Sequence, residues 1–204
     1  MLKKILGVIL TLAILGAIVG GDDDKDTASG NSDKGPSNAA IQAKPDLVIE
    51  NRPDQQKAFI TAVTEGQRAA QSAKNDMQKG GAKAKRDDSI CAVLSDLKVT
   101  DWTGTLETID SNSDGKGVVA VKIAKDVKIT TWNNALSDLE DKTLLEPGTE
   151  LFNKVSGLSR GAKVKFSGQF FRDESDCIGE QSLTLDGKLE EPEFTFRFED
   201  LVPL

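Results

Sequence analysis

Apolar and polar residues alternate most cleanly between Leu97 and Asn134, in the stretch LKVTDWTGTLETIDSNSDGKGVVAVKIAKDVKITTWNN. Val119, Val121 and Ile123 fall on one side of the chain and Lys122 on the other. Val127 and Ile129 repeat the pattern opposite Lys128 and Thr130. A period of two in β-branched residues marks half-buried strands. Asp114-Gly115 and Gly117 interrupt the pattern, and Asp-Gly supplies the positive φ that a tight hairpin turn needs. The stretch predicts three antiparallel strands, at residues 98–109, 117–124 and 127–132.

Further on the period changes. Pro147-Gly148 forces a turn. Glu150 to Leu158 fits a short helix capped by Thr149, with Leu151, Phe152 and Val155 inward. Val164, Phe166 and Gly168 alternate with Lys163, Lys165 and Ser167, which predicts a strand over 163–171. Phe194, Phe196 and Phe198 alternate with Thr195, Arg197 and Glu199 in a closing strand. Residues 173–192, with Ser182-Leu183-Thr184-Leu185 and then Asp186-Gly187, read as an edge hairpin or a long connection.

Ahead of the strands the spacing is helical. Phe59, Val63, Gly66, Ala70, Ala73 and Met77 recur every three or four residues. Asn51 or Asp54 can cap the helix and Pro53 suits its first turn. Gly80-Gly81 is the predicted stop, which makes one long helix with a narrow face of mostly small side chains. Lys83, Lys85 and Arg86 follow as a basic cluster, read as solvated surface, a contact to anionic lipid heads, or a contact to a phosphate or acidic glycan. Asp87-Asp88-Ser89 can then cap a short helix carrying Ile90, Val93 and Leu94.

The order of three strands, short helix and two strands resembles the small Greek-key OB barrel. The segments carrying this resemblance are Val99 to Trp132, Glu150 to Phe170 and Phe194 to Phe198. The tail from Ala73 to Leu201 (AKNDMQKGGAKAKRDDSIC, WNNALSD, LFNKV, VKFSGQFF, DC, SLT, PEFTFRF) also resembles uncharacterised bacterial envelope proteins with an OB-like, tRNA-anticodon-binding-like domain. That resemblance implies a compact binding-type barrel, without implying tRNA as the ligand. The expected fold class is mainly β: a five-stranded OB-like Greek-key barrel preceded by one long helix, with an N-terminal signal or transmembrane anchor. The expected division is 1–21 signal peptide or anchor, 22–50 acidic linker, 51–96 helical segment and 97–204 OB-like β domain.

The amino end changes the picture of location. Met1-Leu-Lys-Lys is a positive head, Ile5 to Gly21 is a 17-residue run without a charge, and an Asp-rich segment follows. This is the plan of a secretory signal, at the short limit for spanning a bilayer. Charge asymmetry keeps Lys3 and Lys4 inside and sends Asp22 to Asp24 across. The expected location is therefore exported: tethered to the inner membrane through residues 5–21, or periplasmic. Asp22 to Lys44 has no aromatic residue and too few apolar groups to offset its ordering entropy.

Composition narrows the chemistry. The chain has 26 basic and 33 acidic residues, a formal charge of −7, and no His. Such a surface disfavours nonspecific nucleic-acid binding. Without His, the usual neutral-pH base and the commonest nitrogen metal ligand are missing. No cofactor motif, metal set or catalytic set emerges, and the chain reads as a non-enzyme. Asp110, Asn112, Asp114 and Gly115 copy the start of a calcium loop, but the position for its bidentate acid is Val121, so a hairpin connection is favoured. Cys91 and Cys177 are the only cysteines and can pair in an exported protein; two independently buried thiols, or a redox or metal role without CxxC spacing, are the alternatives. The ligand-face candidates are Trp102, Trp132, Asn133 and Asn134, whose aromatic and amide groups suit sugars, peptides or bases, with Arg172 and Arg197 as anion contacts or as partners of the many acids. Both Trp residues can equally cover the barrel ends or seat the helix. The expected function is a non-catalytic, tethered or exported binding module of the envelope, with a protein, peptide or glycan partner. The alternatives are an envelope hydrolase whose carboxylate site is not visible in sequence, and a purely structural domain.

Overall fold

A computed structural model describes residues 50–204, inside the unit Ala43–Leu204. The expected anchor at 1–21 and all but the last residue of the expected linker lie outside the described residues. Among the described residues no helix is long and apolar enough to cross a membrane.

Helix α1 (Asp54–Gln71) follows Pro53 and buries Gln56, Phe59, Ala62, Val63, Gly66 and Ala70 on one stripe. Helix α2 (Asp76–Val93) comes next. The expected single long helix is therefore a pair of helices, and the reason is a local cap. The Asn75 side chain accepts from the Gln78 amide at 3.0 Å, and the Gln78 side chain accepts from the Lys74 amide at 2.7 Å. This reciprocal arrangement starts a new helix at Asp76. Gly80-Gly81 lies inside α2 and does not end it. Helical glycine costs roughly 1 kcal/mol, and packing of α2 on α1 outweighs that. The packing is close: a Cβ placed on Gly66 would meet Arg86 Cβ at 2.9 Å. Met77, assigned by its spacing to the buried stripe, is 89% exposed because the helix has already ended and restarted.

The strands are β1 (Lys98–Ser111), β2 (Gly117–Ala124), β3 (Val127–Thr130), β4 (Lys163–Phe170), β5 (Arg172–Asp173), β6 (Cys177–Ile178) and β7 (Glu193–Pro203). Helix α3 (Glu150–Ser156) lies between β3 and β4, and α4 (Leu185–Glu190) precedes β7. Hydrogen bonding runs β1-β2-β3-β7-β4, and β4 pairs back onto β1, closing the ring. The β3–β7 pairing is parallel and the other pairings of the ring are antiparallel. β5 and β6 form a separate two-stranded sheet.

The expected OB-like plan of one helix and five strands is thus corrected in its parts. The expected long helix and short helix of 51–96 are the α1–α2 pair, the expected hairpin or connection begins as the β5–β6 sheet, and the plan has no place for α4. Residues 185–190, expected as hairpin or connection, are helical because Thr184 caps them, its hydroxyl accepting from the Gly187 amide at 3.1 Å. Gly187 serves close approach here: an added Cβ would lie 2.0 Å from Ser182 Oγ.

The inward phase of each strand builds the core: Leu106, Val119, Val121, Ile123, Ile129, Val164, Phe166, Phe194, Phe196 and Leu201. Phe59 brings α1 into it. Its ring lies 5.1 Å from Trp102, 5.6 Å from Phe170 and 5.1 Å from Phe194 between centroids. Fully burying each such ring contributes roughly 1.5–3 kcal/mol, with edge-to-face pairs adding about 0.5–1.5 kcal/mol. Strand β4 makes its register shift at Ser167/Gly168, and Gly168 has φ 158° with the Arg197 carbonyl 2.1 Å from where a Cβ would sit.

A polar contact fixes the same helix. Buried Gln56 donates from Nε2 to the Thr103 carbonyl at 2.6 Å and accepts from the Thr103 amide at 2.9 Å. The β1–β2 ladder begins at Thr105↔Lys122, so the Gln56 amide continues it from the helix side. Arg52 adds a bond to the Ile123 carbonyl. Replacing Gln56 by Ala removes both bonds to a buried backbone, at about 1–3 kcal/mol for each group left in the interior. Urea unfolding of Gln56→Ala should show a loss of about 2–4 kcal/mol, whereas Gln67→Ala, at an exposed bond to Glu190, should stay close to wild type.

Candidate functional site

The alternation that fills the core also builds an outer face. Where Val119, Val121 and Ile129 point in, Val118, Ala120, Lys128 and Thr130 point out, and these outward residues are mostly small. They leave a groove of about 300 Å³ lined by Thr108, Asp110 and Ser111 of β1, Val118 and Ala120 of β2, Lys128 and Thr130 of β3, Glu193 of β7, and Thr131, Asn133 and Gln181 at its rim.

The rim is held by backbone bonds. Gln181 donates to the Thr131 carbonyl at 2.8 Å, and its own amide donates to the Glu193 carbonyl at 2.9 Å. The Thr131 hydroxyl accepts from the Val119 amide at 3.1 Å and donates to the Trp132 carbonyl at 2.9 Å. Beyond it, buried Asp138 organises the loop, accepting from the Thr143 amide and hydroxyl and from the Leu144 amide. Thr143 Oγ1 in turn accepts from the Trp132 amide at 2.8 Å. The loop exposes Leu136 and Leu139.

Lys128 is the cation of the groove. It reaches Glu193 at 3.1 Å and Glu107 at 3.9 Å. Partial burial works against its charge, but the bond to Glu193 and the fields of Glu193, Glu107 and Glu191 hold the ammonium above its ordinary pKa. Asp110 and Glu193 together outnumber Lys128 on the lining, so the groove carries an acidic excess. Hydroxyls and amides supply donors and acceptors along its length, and no aromatic ring lines it.

The six expected ligand-face residues do not form one patch. Asn133 is exposed and lines the groove. Asn134, also exposed, is taken up by its loop, accepting from the Ser137 amide at 2.9 Å. Trp132 is half-buried and its indole donates to Asp141 at 2.9 Å. Trp102 is 0% exposed and is a core residue, its indole donating to Gln55 at 3.3 Å. The reason is a register shift between Val99 and Trp102, with Asp101 at φ 58°, which turns the indole inward. Arg172 lies over the sulfurs of Cys91 and Cys177, and the guanidinium of Arg197 sits 5.6 Å from the Phe171 ring centre. The groove residues Thr108, Lys128 and Thr130 carried a readable signal, as the polar phase of the alternation. Gln181 carried none, because a connection without period does not reveal which way its side chains point.

Two sequence motifs resolve. Cys91 and Cys177 are paired, closing a separation of 86 residues. In the loop that copies a calcium site, Asn112 accepts from the Asp114 and Lys116 amides at 3.0 Å, which makes it a hairpin turn. Among the described residues no group of His, Cys, Asp and Glu is gathered to hold a metal ion.

The basic cluster is not all surface. Arg86 is 2% exposed and pairs with Asp87 at 2.7 Å and with Glu180, its guanidinium 5.9 Å from the Phe194 ring centre. Lys83 pairs with Asp87 and Asp176, and Lys188 with Asp176. This network joins α2 to the segment carrying β6 and α4. Glu180 faces inward to Arg86 while its neighbour Gln181 faces the groove, so the strip between β6 and β7 serves both.

Comparison with known proteins finds no matching family model, no matching curated protein and no matching solved structure. The resemblance to OB-like bacterial envelope proteins is therefore corrected: nothing ties the chain to that group, and short segments such as WNNALSD and LFNKV do not suffice to assign it.

Burial pushes the Glu180 carboxyl up to about 7, with Arg86 opposing. Its folded pKa thus lies above its ordinary 4.5. Between those values the folded protein holds a proton that the unfolded chain has released. The contribution is complete below the ordinary value and lost as pH rises through the folded one. Urea unfolding from pH 4 to 8 should show Glu180→Gln losing less stability than wild type across this window, with a difference of about 3 kcal/mol or less.

Proposed function

We propose that the chain is a non-catalytic binding module acting outside the cytoplasm, and that the groove between Asp110, Lys128, Asn133 and Gln181 is its ligand surface. The observation that carries this reading is the groove itself, a polar concavity built on the β1-β2-β3-β7 face. Ligand sites are concave, largely preformed and furnished with a few placed polar groups. A site on strands also holds its geometry better than one on loops.

The lining favours a polar, extended ligand of the peptide or glycan type. Hydroxyl and amide groups suit hydrogen bonding along a chain, and the acidic excess favours a positively charged one. The absence of an aromatic ring from the lining argues against stacking on bases or on sugar faces. The export pattern of the first residues and the pairing of Cys91 with Cys177 support a location in an oxidising compartment.

The test is amide-resolved NMR titration of the full chain with trilysine, triglutamate and chitotriose. Trilysine should shift the amides of Thr108, Lys128 and Asn133, triglutamate should not, and Asn133→Ala together with Glu193→Gln should weaken trilysine at least fivefold. Absence of groove shifts with all three probes at millimolar concentration would overturn the reading.

A further inference from the structure

We propose that Cys91–Cys177 is a thiol–disulfide exchange site, opened by a dithiol, and not a permanent staple. The proposal is independent of the groove.

Three observations converge on it. Arg172 Nη1 lies 3.3 Å from Cys91 Sγ and 3.5 Å from Cys177 Sγ, so one guanidinium faces both sulfurs. A cation beside a thiolate stabilises it, which favours the reduced pair and makes the sulfur a better leaving group. Cys91 is half-buried, whereas Cys177 is 7% exposed, so a reagent has a preferred point of attack. Cys177 also has φ 67°, in the left-handed region that a residue with a Cβ disfavours. It sits in β6, paired to β5 through Arg172↔Ile178 and Asp173↔Cys177, with the Gly179 amide bonded to the Phe171 carbonyl and Asp176 paired to Lys83 and Lys188 on either side.

The charges around the pair leave the guanidinium effective. Asp87 and Asp176 are engaged by Lys83, and Asp176 also by Lys188. Asp173 accepts from the Ser175 and Asp176 amides at 2.7 and 3.0 Å. Exposed Asp88 and Glu174 remain nearby in sequence, facing water.

The exchange balances. One thiolate of the dithiol attacks Cys91 Sγ and forms a mixed disulfide. The Cys91–Cys177 bond breaks, and its electron pair leaves on Cys177 Sγ beside Arg172. The second thiolate of the dithiol attacks the dithiol's first sulfur, the one bonded to Cys91 Sγ, closing a cyclic disulfide and releasing Cys91 as a thiolate. The protein gains two electrons, the dithiol loses two and becomes a cyclic disulfide, and its two protons pass to the freed sulfurs or to solvent.

The test equilibrates the full chain with reduced and oxidised dithiothreitol and counts alkylated cysteines by mass. Arg172→Gln should lower the equilibrium constant for reduction at least fivefold, Arg172→Lys should restore most of it, and Arg68→Ala, an exposed control on α1, should leave it unchanged. In the reduced chain the pH midpoint of iodoacetamide capture should lie below the ordinary thiol value of about 8.5 and return to it in Arg172→Gln. Two results overturn the proposal: equal reduction of wild type and Arg172→Gln, or a wild-type bond that opens only when circular dichroism shows the domain unfolded.

Discussion

A closed ring of strands has ends, and sealing one of them is the constraint on which the rest of this domain depends. Helix α1 does it with two unlike groups one turn apart. Phe59 supplies the apolar plug among Trp102, Phe170 and Phe194. Gln56 supplies a donor and an acceptor to the Thr103 backbone. Either alone would leave the helix free in one respect: a ring tolerates rotation within its pocket, and an amide pair does not fix depth. Together they set both. Once α1 is placed, Gly66 sets how close α2 can come, Arg86 enters the interior, and its bonds to Glu180 and the Lys188 carbonyl draw the β6–α4 segment against the helices.

The strands were the most legible part of the sequence, because their side chains obey a period that burial enforces. Val119, Val121 and Ile123 had to share a face, and Phe194, Phe196 and Phe198 likewise. The helices were less so. A stripe from Phe59 to Met77 has the right spacing, yet the chain breaks within it at Ser72 to Asn75. The signal was present in Asn75 and Gln78, a cap pair, but two glycines downstream looked like the stronger stop. Glycine lowers helix stability by an amount that tertiary packing can exceed, whereas a reciprocal cap creates a helix start outright.

Trp102 shows a second limit of pattern reading. Its direction is decided by a register shift and by the positive φ of Asp101, neither of which has a period. Arg86 shows a third. In a run of basic residues on a helix, solvent is the ordinary environment, and only partners distant in sequence, Glu180 and the carbonyl of Lys188, make burial tolerable. Burying a charge costs several kcal/mol unless its bonds are met, so the Arg86 guanidinium depends on those distant partners. Glu180, whose second oxygen has no hydrogen-bond partner among the described residues and whose carboxyl is pushed towards neutrality, registers that cost.

The candidate groove follows from the same alternation as the core, read on its other phase. Large β-branched residues point inward, and each outward position next to them had to be filled by something that water accepts. Here the choices at Thr108, Ala120 and Thr130 are small, so the face is hollow where long side chains would have covered it. That hollow is bounded by elements whose positions are set elsewhere: Gln181 by the strip that Arg86 anchors through Glu180, and Asn133 by the loop that Asp138 organises. The floor is therefore fixed by the sheet, and the rim by backbone bonds to β2 and β7 together with the buried contacts of Glu180 and Asp138. Variation at the rim can reshape the groove without disturbing the ring of strands beneath it.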